Sequence, residues 1–135
     1  MIDYEPNEIW YDPFKNDGSY YNQYPNENKV WTEILDGRDF FDFTGNIDII
    51  CSNPPYSFID TILHKCIELK PRVISLLIGQ GNLTAKRMEL LEKHGYGLKK
   101  IHMCKVFKWY GMSYIIQYEL GEASIMSYDR VVWRS

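Results

Sequence analysis

Cysteine is scarce in this chain: there are only three, and their odd number and wide spacing imply no disulfide framework. Three widely spaced histidines do not form a usual zinc pattern either, so we expect no metal site. Long apolar runs are also missing, because the longest, residues 73–78, is far below the roughly 20 residues that span a bilayer. The first residues are acidic and polar, unlike a secretory signal. We therefore expect a cytoplasmic protein that does not enter a membrane.

Each half of the chain lacks charge of one sign. Residues 1–60 contain 3 Lys or Arg against 12 Asp or Glu, whereas residues 61–135 contain 12 against 6. The formal net charge of −3 thus combines an acidic front with a basic back. Composition is otherwise ordinary for a globular protein, and 135 residues suit one domain, placed at 1–135. The asymmetry favours an acidic ligand-holding part and a basic part that faces a polyanion.

Strands and helices are predicted to alternate, which indicates an α/β sheet that is mostly parallel. Residues 13–28 are predicted to be a loop because they are rich in Asn, Gly, Tyr and Pro. Ser57 and Asp60 form an approximate capping box at a helix start, and Gly95 closes a second helix. A C-terminal antiparallel hairpin is expected around Gly111. The predicted strands are 9–12, 30–35, 47–51, 72–78, 98–109, 113–120 and an edge strand 125–133, and the predicted helices are 57–69 and 84–94.

The first candidate site follows the first strand, in the segment Asp12-Pro13-Phe14-Lys15-Asn16-Asp17-Gly18. In open parallel sheets, ligands bind beyond the carboxyl ends of the strands. A glycine turn lets backbone N–H groups approach a ligand closely, and an acid at the strand tip binds an ammonium or a hydroxyl group. An ordinary structural turn is the alternative.

The second candidate site is Ser52-Asn53-Pro54-Pro55-Tyr56, directly after a buried strand. Two prolines fix φ and remove two backbone donors, so the Pro54 carbonyl and the Asn53 amide are held as a pair of acceptors. Two acceptors that converge on one point hold an –NH₂ group, and the Tyr56 ring offers a stacking face. A Pro-Pro turn without function is the alternative.

Two acidic positions between these segments are further candidates. Glu33 lies near the end of the second predicted strand, where its carboxylate either meets ribose hydroxyls or points into solvent. Asp39 and Phe40 offer a carboxylate and an apolar ring around a purine, or else they form an ordinary turn with core phenylalanines.

Together these segments resemble class I S-adenosylmethionine-dependent amino-methyltransferases that carry an Asn-Pro-Pro-Tyr motif. The similarity covers about residues 9–120 and is closest to short phage- or virus-like N6-adenine DNA methyltransferases. DPFKNDG resembles the family's Asp-Pro-Phe-x-Gly-x-Gly motif, and SNPPYS matches its catalytic motif without substitution. The resemblance implies a Rossmann-like class I methyltransferase sheet, reduced in helices.

The resemblance also implies roles for residues. Asn53, Pro54, Pro55 and Tyr56 would be catalytic and would act on the N6 amino group of adenine in DNA, without a metal. S-adenosyl-L-methionine would be the cofactor, bound by Asp12, Pro13, Phe14, Asp17, Gly18, Glu33, Asp39 and Phe40. The alternatives are an RNA base or a protein glutamine as acceptor, or a degenerate nucleic-acid-binding protein that has lost activity. Asn16 departs from the motif, because the family has a glycine there.

The basic half supplies a candidate nucleic-acid surface, with DNA favoured over RNA. Basic residues in the second helix, Lys86, Arg87 and Lys93, extend it. A solvated helix and hairpin are the alternative. No separate target-recognition domain is expected, so the sequence also suggests a homodimer or a separate specificity partner. The residues expected to contact nucleic acid are Lys99, Lys100, Lys105, Lys108, Trp109 and Tyr110.

Overall fold

A computed structural model describes residues 2–15, 18, 20–33, 37–105 and 111–129 of the chain. The longer elements follow the apolar patterns of the sequence. Buried strands are continuous apolar runs, and the helices bury one face only. The strands are β1 Trp10–Asp12, β2 Lys29–Trp31, β3 Ile49–Ser52, β4 Val73–Gly79, β5 Tyr96–Cys104 and β6 Ser113–Leu120, and the helices are α1 Ile59–Leu69 and α2 Ala85–Lys93.

The six strands form one sheet in the order β2-β1-β3-β4-β6-β5. The first four of these run parallel to one another, whereas β6 is antiparallel to both β4 and β5. The predicted mostly parallel α/β sheet with a C-terminal hairpin is therefore confirmed. The chain passes from β1 to β2 on one side and then returns to β3 on the other, so the order of the strands reverses at β1 and β3. In open α/β sheets this reversal marks the usual ligand-binding crevice.

The two faces of the sheet are covered differently. On one face, α1 and α2 pack over a core that includes Tyr11, Ile50 and Ile74. The opposite face carries a smaller cluster of Trp10, Ile49 and Val73, covered by Tyr24 and neighbouring residues of the loop between β1 and β2. Parallel strands are usually joined through a helix. The described part of this loop contains only a short 3₁₀ turn, so tyrosine side chains cover the sheet where a helix would otherwise lie.

Three local predictions are wrong, and β5 also begins at Tyr96 rather than at residue 98 and ends at Cys104. α1 begins at Ile59 rather than Ser57, because Tyr56–Phe58 form a 3₁₀ turn and Phe58, which makes no capping hydrogen bond, occupies the cap position. β2 ends at Trp31, because Glu33 instead forms a bridge to Arg38.

The third concerns the predicted edge strand at 125–133. Its described residues, 125–129, are not a strand, and Ile125 makes a single backbone hydrogen bond to Leu98 of β5. The rest of that segment lies outside the described residues. In the described part of the chain, no helix is long and apolar enough to cross a membrane.

Candidate functional site

A buried carboxyl group joins the two strands at which the order of the sheet reverses. Asp12, at the end of β1, is 1% exposed. Its Oδ1 accepts a hydrogen bond from the Phe14 N–H at 3.1 Å and another from the Ser52 hydroxyl at the end of β3. Burial raises the pKa of Asp12 to about 6, against the effect of these two hydrogen bonds. The segments that follow β1 and β3 are therefore held in register by one polar group.

A cavity of about 610 Å³ opens above this link, at the carboxyl edge of the sheet. Most of the residues proposed from the sequence for cofactor binding and catalysis meet on its walls. Asp12 and Gly18 are not on those walls, and Asp17 lies outside the described residues. The lining residues are Pro13, Phe14, Glu33, Asp39, Phe40, Phe41, Asn53, Pro54, Pro55, Tyr56 and Phe58.

Two carboxylates stand on the side of the cavity next to β2. Thr32 fixes the chain just before Glu33, because its N–H donates to the Asp12 carbonyl at 3.0 Å and its hydroxyl donates to the Pro13 carbonyl at 2.7 Å. Asp39 caps a 3₁₀ turn by accepting from the Phe41 N–H at 3.0 Å. The cavity is therefore acidic, since no Lys, Arg or His occurs among its described lining residues.

Phe40 has a structural role that one of the two sequence interpretations foresaw. It is 2% exposed and belongs to the main core, with its ring 5.2 Å from that of Phe14. The Asp39–Phe41 segment is thus a capped turn with a core phenylalanine, and one edge of that phenylalanine also borders the cavity. The Asp39–Phe41 turn therefore also forms part of the cavity wall.

The Asn-Pro-Pro-Tyr segment forms the opposite wall. β3 ends at Ser52, so the chain leaves the sheet with Asn53 exposed and Pro54 buried. Tyr56 lies beside the end of β4, where a Cβ added to Gly79 would be 3.6 Å from its ring. Burial raises the pKa of Tyr56 to about 12, which keeps its phenol neutral. Asn53 is exposed and lines the cavity, so its side-chain amide is accessible to a ligand.

Two phenylalanines that the sequence reasoning did not select also line the cavity. Phe41 is 43% exposed and Phe58 is 61% exposed, so both place large apolar rings in water. They stand on opposite walls, one beside Asp39 and the other beside Tyr56. The available signal was their position directly after each motif, in DFF and in PPYSF.

The residues expected to contact nucleic acid are only partly brought to this edge. Lys105 is exposed just after β5, at the same end of the sheet as Gly79. Lys99 lies toward the far end, with its Nζ 3.4 Å from Glu119 and 3.7 Å from Glu122. Lys100 is half-buried beside Gln117, on the face without helices. Lys108, Trp109 and Tyr110 lie outside the described residues.

Basic side chains also occur in a groove of about 320 Å³ between α1 and α2. Lys86, Arg87 and Lys93 line it together with His64, and Arg87 is held by Asp60 at 2.8 Å. Within the described residues, no cluster of three or more His, Cys, Asp or Glu side chains could hold a metal ion.

No family model matches the sequence, and no curated protein matches it. Solved structures do match. Magnesium protoporphyrin IX methyltransferase from Synechocystis PCC 6803, with bound SAM, has a TM-score of 0.65 at 11% identity, over 85% of this chain and 71% of that one. The E. cuniculi Mtq2–Trm112 complex is responsible for methylation of the translation termination factor eRF1. It has a TM-score of 0.63 at 18% identity, over 84% of this chain and 85% of that one. This chain has the Rossmann-like fold of these methyltransferases.

A third match is similar in extent. A precorrin-6y methyltransferase from Geobacter metallireducens has a TM-score of 0.59 at 16% identity, over 86% of this chain and 82% of that chain. The three proteins are named for a porphyrin, a protein and a precorrin as substrates. The shared fold therefore does not identify the acceptor, which has to be argued from the site itself.

The buried Asp12 predicts a pH-dependent stability. Its pKa is about 6 in the folded protein and near 3.8 when unfolded, so ionisation favours unfolding as the pH rises from about 4 to about 6. Asp12→Asn keeps an acceptor oxygen without the charge. The free energy of unfolding of this variant, minus that of the wild type, should increase by on the order of 3 kcal/mol between pH 4 and pH 7. Urea denaturation at several pH values measures this.

The exposed turn residue Asp42 provides the matched control, since Asp42→Asn makes the same chemical change outside the core. The free energy of unfolding of Asp12→Asn minus that of the wild type should not stay constant or shrink from pH 4 to pH 7. Either result would show that the Asp12 carboxyl is not buried as described.

Proposed function

We propose that this protein is a methyltransferase that uses S-adenosylmethionine to methylate the N6 amino group of adenine in DNA. The observation that carries the proposal is the cavity in which the Asn-Pro-Pro-Tyr segment faces the acidic wall of Glu33 and Asp39. The fold is that of methyltransferases, one of which contains bound SAM.

The residues of the cavity fit this cofactor. Rossmann-like sheets also bind nucleotides with phosphates, but a wall with two carboxylates and no basic residue among its described members disfavours a phosphate. A cationic ligand without phosphates suits it. Glu33 and Asp39 would accept hydrogen bonds from hydroxyl groups, and Phe40 and Phe41 would contact a flat purine. When bound, S-adenosylmethionine supplies an electrophilic methyl group on a positively charged sulfur.

The opposite wall would hold the acceptor. The Asn53 side-chain oxygen and the Pro54 carbonyl would accept the two hydrogens of an exocyclic amine, which increases the electron density on its nitrogen. Tyr56 would stack on the base. Because its phenol stays neutral, Tyr56 would provide a stacking face and would not accept a proton. Positioning would account for much of the rate.

Stacking surface favours a nucleobase over the amide of a protein side chain. Tyr56 and the exposed Phe58 stand together at the cavity, and a base that has left the helix needs aromatic contacts to offset an unstacking cost of a few kcal/mol. Lys105 at the same edge would contact phosphate. A protein acceptor is the second candidate, because the similar E. cuniculi complex methylates a protein. A separate partner for target choice remains a prediction.

The first test replaces the proposed amine acceptor. Asn53→Ala should reduce methyl transfer to unmethylated DNA by about 100-fold or more, because one of two pre-positioned hydrogen-bond partners is removed. Transfer of tritiated methyl groups, followed by nucleoside analysis for N6-methyladenine, measures it. RNA and protein offered as competing acceptors distinguish the alternatives.

Asn46→Ala is the control, since Asn46 is exposed just before β3, at the opposite edge of the sheet. Equal transfer by wild type and Asn53→Ala would refute the catalytic assignment. Nucleic-acid binding without transfer or cofactor binding would instead identify a degenerate member.

The second test replaces one phenylalanine on each wall of the cavity by alanine. Phe58→Ala should raise the KM for DNA roughly tenfold, the value of one lost base–aromatic contact, and leave cofactor affinity unchanged. Phe41→Ala should do the reverse, weakening S-adenosylhomocysteine binding and sparing the KM for DNA. Steady-state kinetics and calorimetry measure the two quantities. Parallel effects of both variants on both ligands would contradict the division of the cavity.

A further inference from the structure

A second cavity lies on the face of the sheet that no helix covers among the described elements. Its volume is about 440 Å³, within the range of small-molecule sites, roughly 300 to 1,000 Å³. It shares no described lining residue with the cavity that contains Asn53. The tyrosine-rich loop forms its outer wall, and the strands β1, β3, β4 and β6 form its floor.

The outer wall is aromatic and fixed to the sheet. The Tyr24 ring of the loop lies 5.0 Å from the ring of Trp10 on β1, and the Tyr24 hydroxyl donates to the Cys51 carbonyl. Tyr20 completes the wall. Such rings favour a flat ligand, because stacking adds to the burial of apolar area.

The floor is a row of neutral polar side chains. Cys51 lies opposite Ser75, and Ser75 lies opposite Gln117, so a thiol, a hydroxyl and an amide line up across three strands. Ser75 and Gln117 are 4% and 5% exposed. Burial raises the pKa of the Cys51 thiol to about 12, which keeps it protonated. The described lining residues include no charged side chain, so the ligand should be neutral.

One donor in this lining has no partner. The indole Nε1 of Trp10 is buried and makes no hydrogen bond within the described part of the chain, although Trp10 is only 4% exposed. Leaving a buried donor unpaired is costly, and in folded proteins such a group usually has a reason. Because the atom has less than 1 Å² of accessible surface, a ligand with a hydrogen-bond acceptor would satisfy it only when the indole turns toward the cavity.

We propose that this cavity is a second binding site, which takes a small, neutral, planar heteroaromatic molecule whose acceptor atom pairs with the Trp10 indole N–H. The aromatic wall would stack on the ring, and the Ser75 hydroxyl and the Gln117 side-chain carbonyl would bond its polar edge. The Gln117 side-chain nitrogen already donates to Glu119 at 3.3 Å. This site does not depend on the methyltransferase proposal, because it lies on a face of the sheet and the other cavity lies at the carboxyl edge.

The experiment follows the Trp10 indole N–H by NMR in the full chain, with quinazolin-4-one as the probe. Trp10→Phe assigns that signal among the four tryptophans. The probe should shift the Trp10 signal saturably. Indole, a flat bicycle without a ring acceptor, should bind at least roughly fivefold more weakly, since one hydrogen bond is lost.

Ser75→Leu fills the floor and Gln117→Leu removes its amide, neither adding charge, and both should abolish the shift while thermal melting shows that they remain folded. Phe41→Ala, which alters only the other cavity, should bind the probe as wild type does. No shift of the Trp10 signal, wild-type binding by both floor variants, or loss of binding in Phe41→Ala would each overturn the proposal.

Discussion

The arrangement of this protein depends on one buried carboxyl group at the point where the sheet reverses its strand order. Asp12 accepts hydrogen bonds from both the Phe14 N–H and the Ser52 hydroxyl, and thereby connects the segments that follow β1 and β3. These two segments supply Pro13, Phe14 and the Asn-Pro-Pro-Tyr wall of the main cavity, whereas its acidic wall follows β2. Burial opposes the ionised form of Asp12, so the connection is maintained against an electrostatic cost. Such costs are common where a fold positions a site.

The second constraint is that the two faces of the sheet are buried by different elements. Two helices bury one face, but the described residues between β1 and β2 provide tyrosine rings rather than a helix. Rings cover a strand less evenly than a continuous helix does, because their contacts are local. The polar row of Cys51, Ser75 and Gln117 lies beneath these rings, as does the Trp10 donor that has no partner among the described residues. One sheet thus presents an acidic cavity at its edge and a neutral cavity on its face.

Much of this could be predicted from sequence, where the signal was local. β6 has the predicted bounds, and β3 and β4 are close to theirs, because buried strands are continuous apolar runs. Asn53 and Glu33 reach one cavity because strand ends meet at one edge. Other features arise from contacts between distant segments. They are the burial of Asp12 below that cavity, the ion pairs of Lys99 and the second cavity. No local pattern encodes such contacts.

We propose that the acidic edge cavity holds the cofactor beside the Asn-Pro-Pro-Tyr segment. The decisive experiment is a crystal structure of the full chain grown with S-adenosylhomocysteine. We expect the ligand in the cavity of Glu33 and Asp39, with its sulfur facing Asn53 and Tyr56. A ligand bound in the cavity of Trp10 and Ser75 would refute this placement, as would an empty edge cavity at saturating concentration.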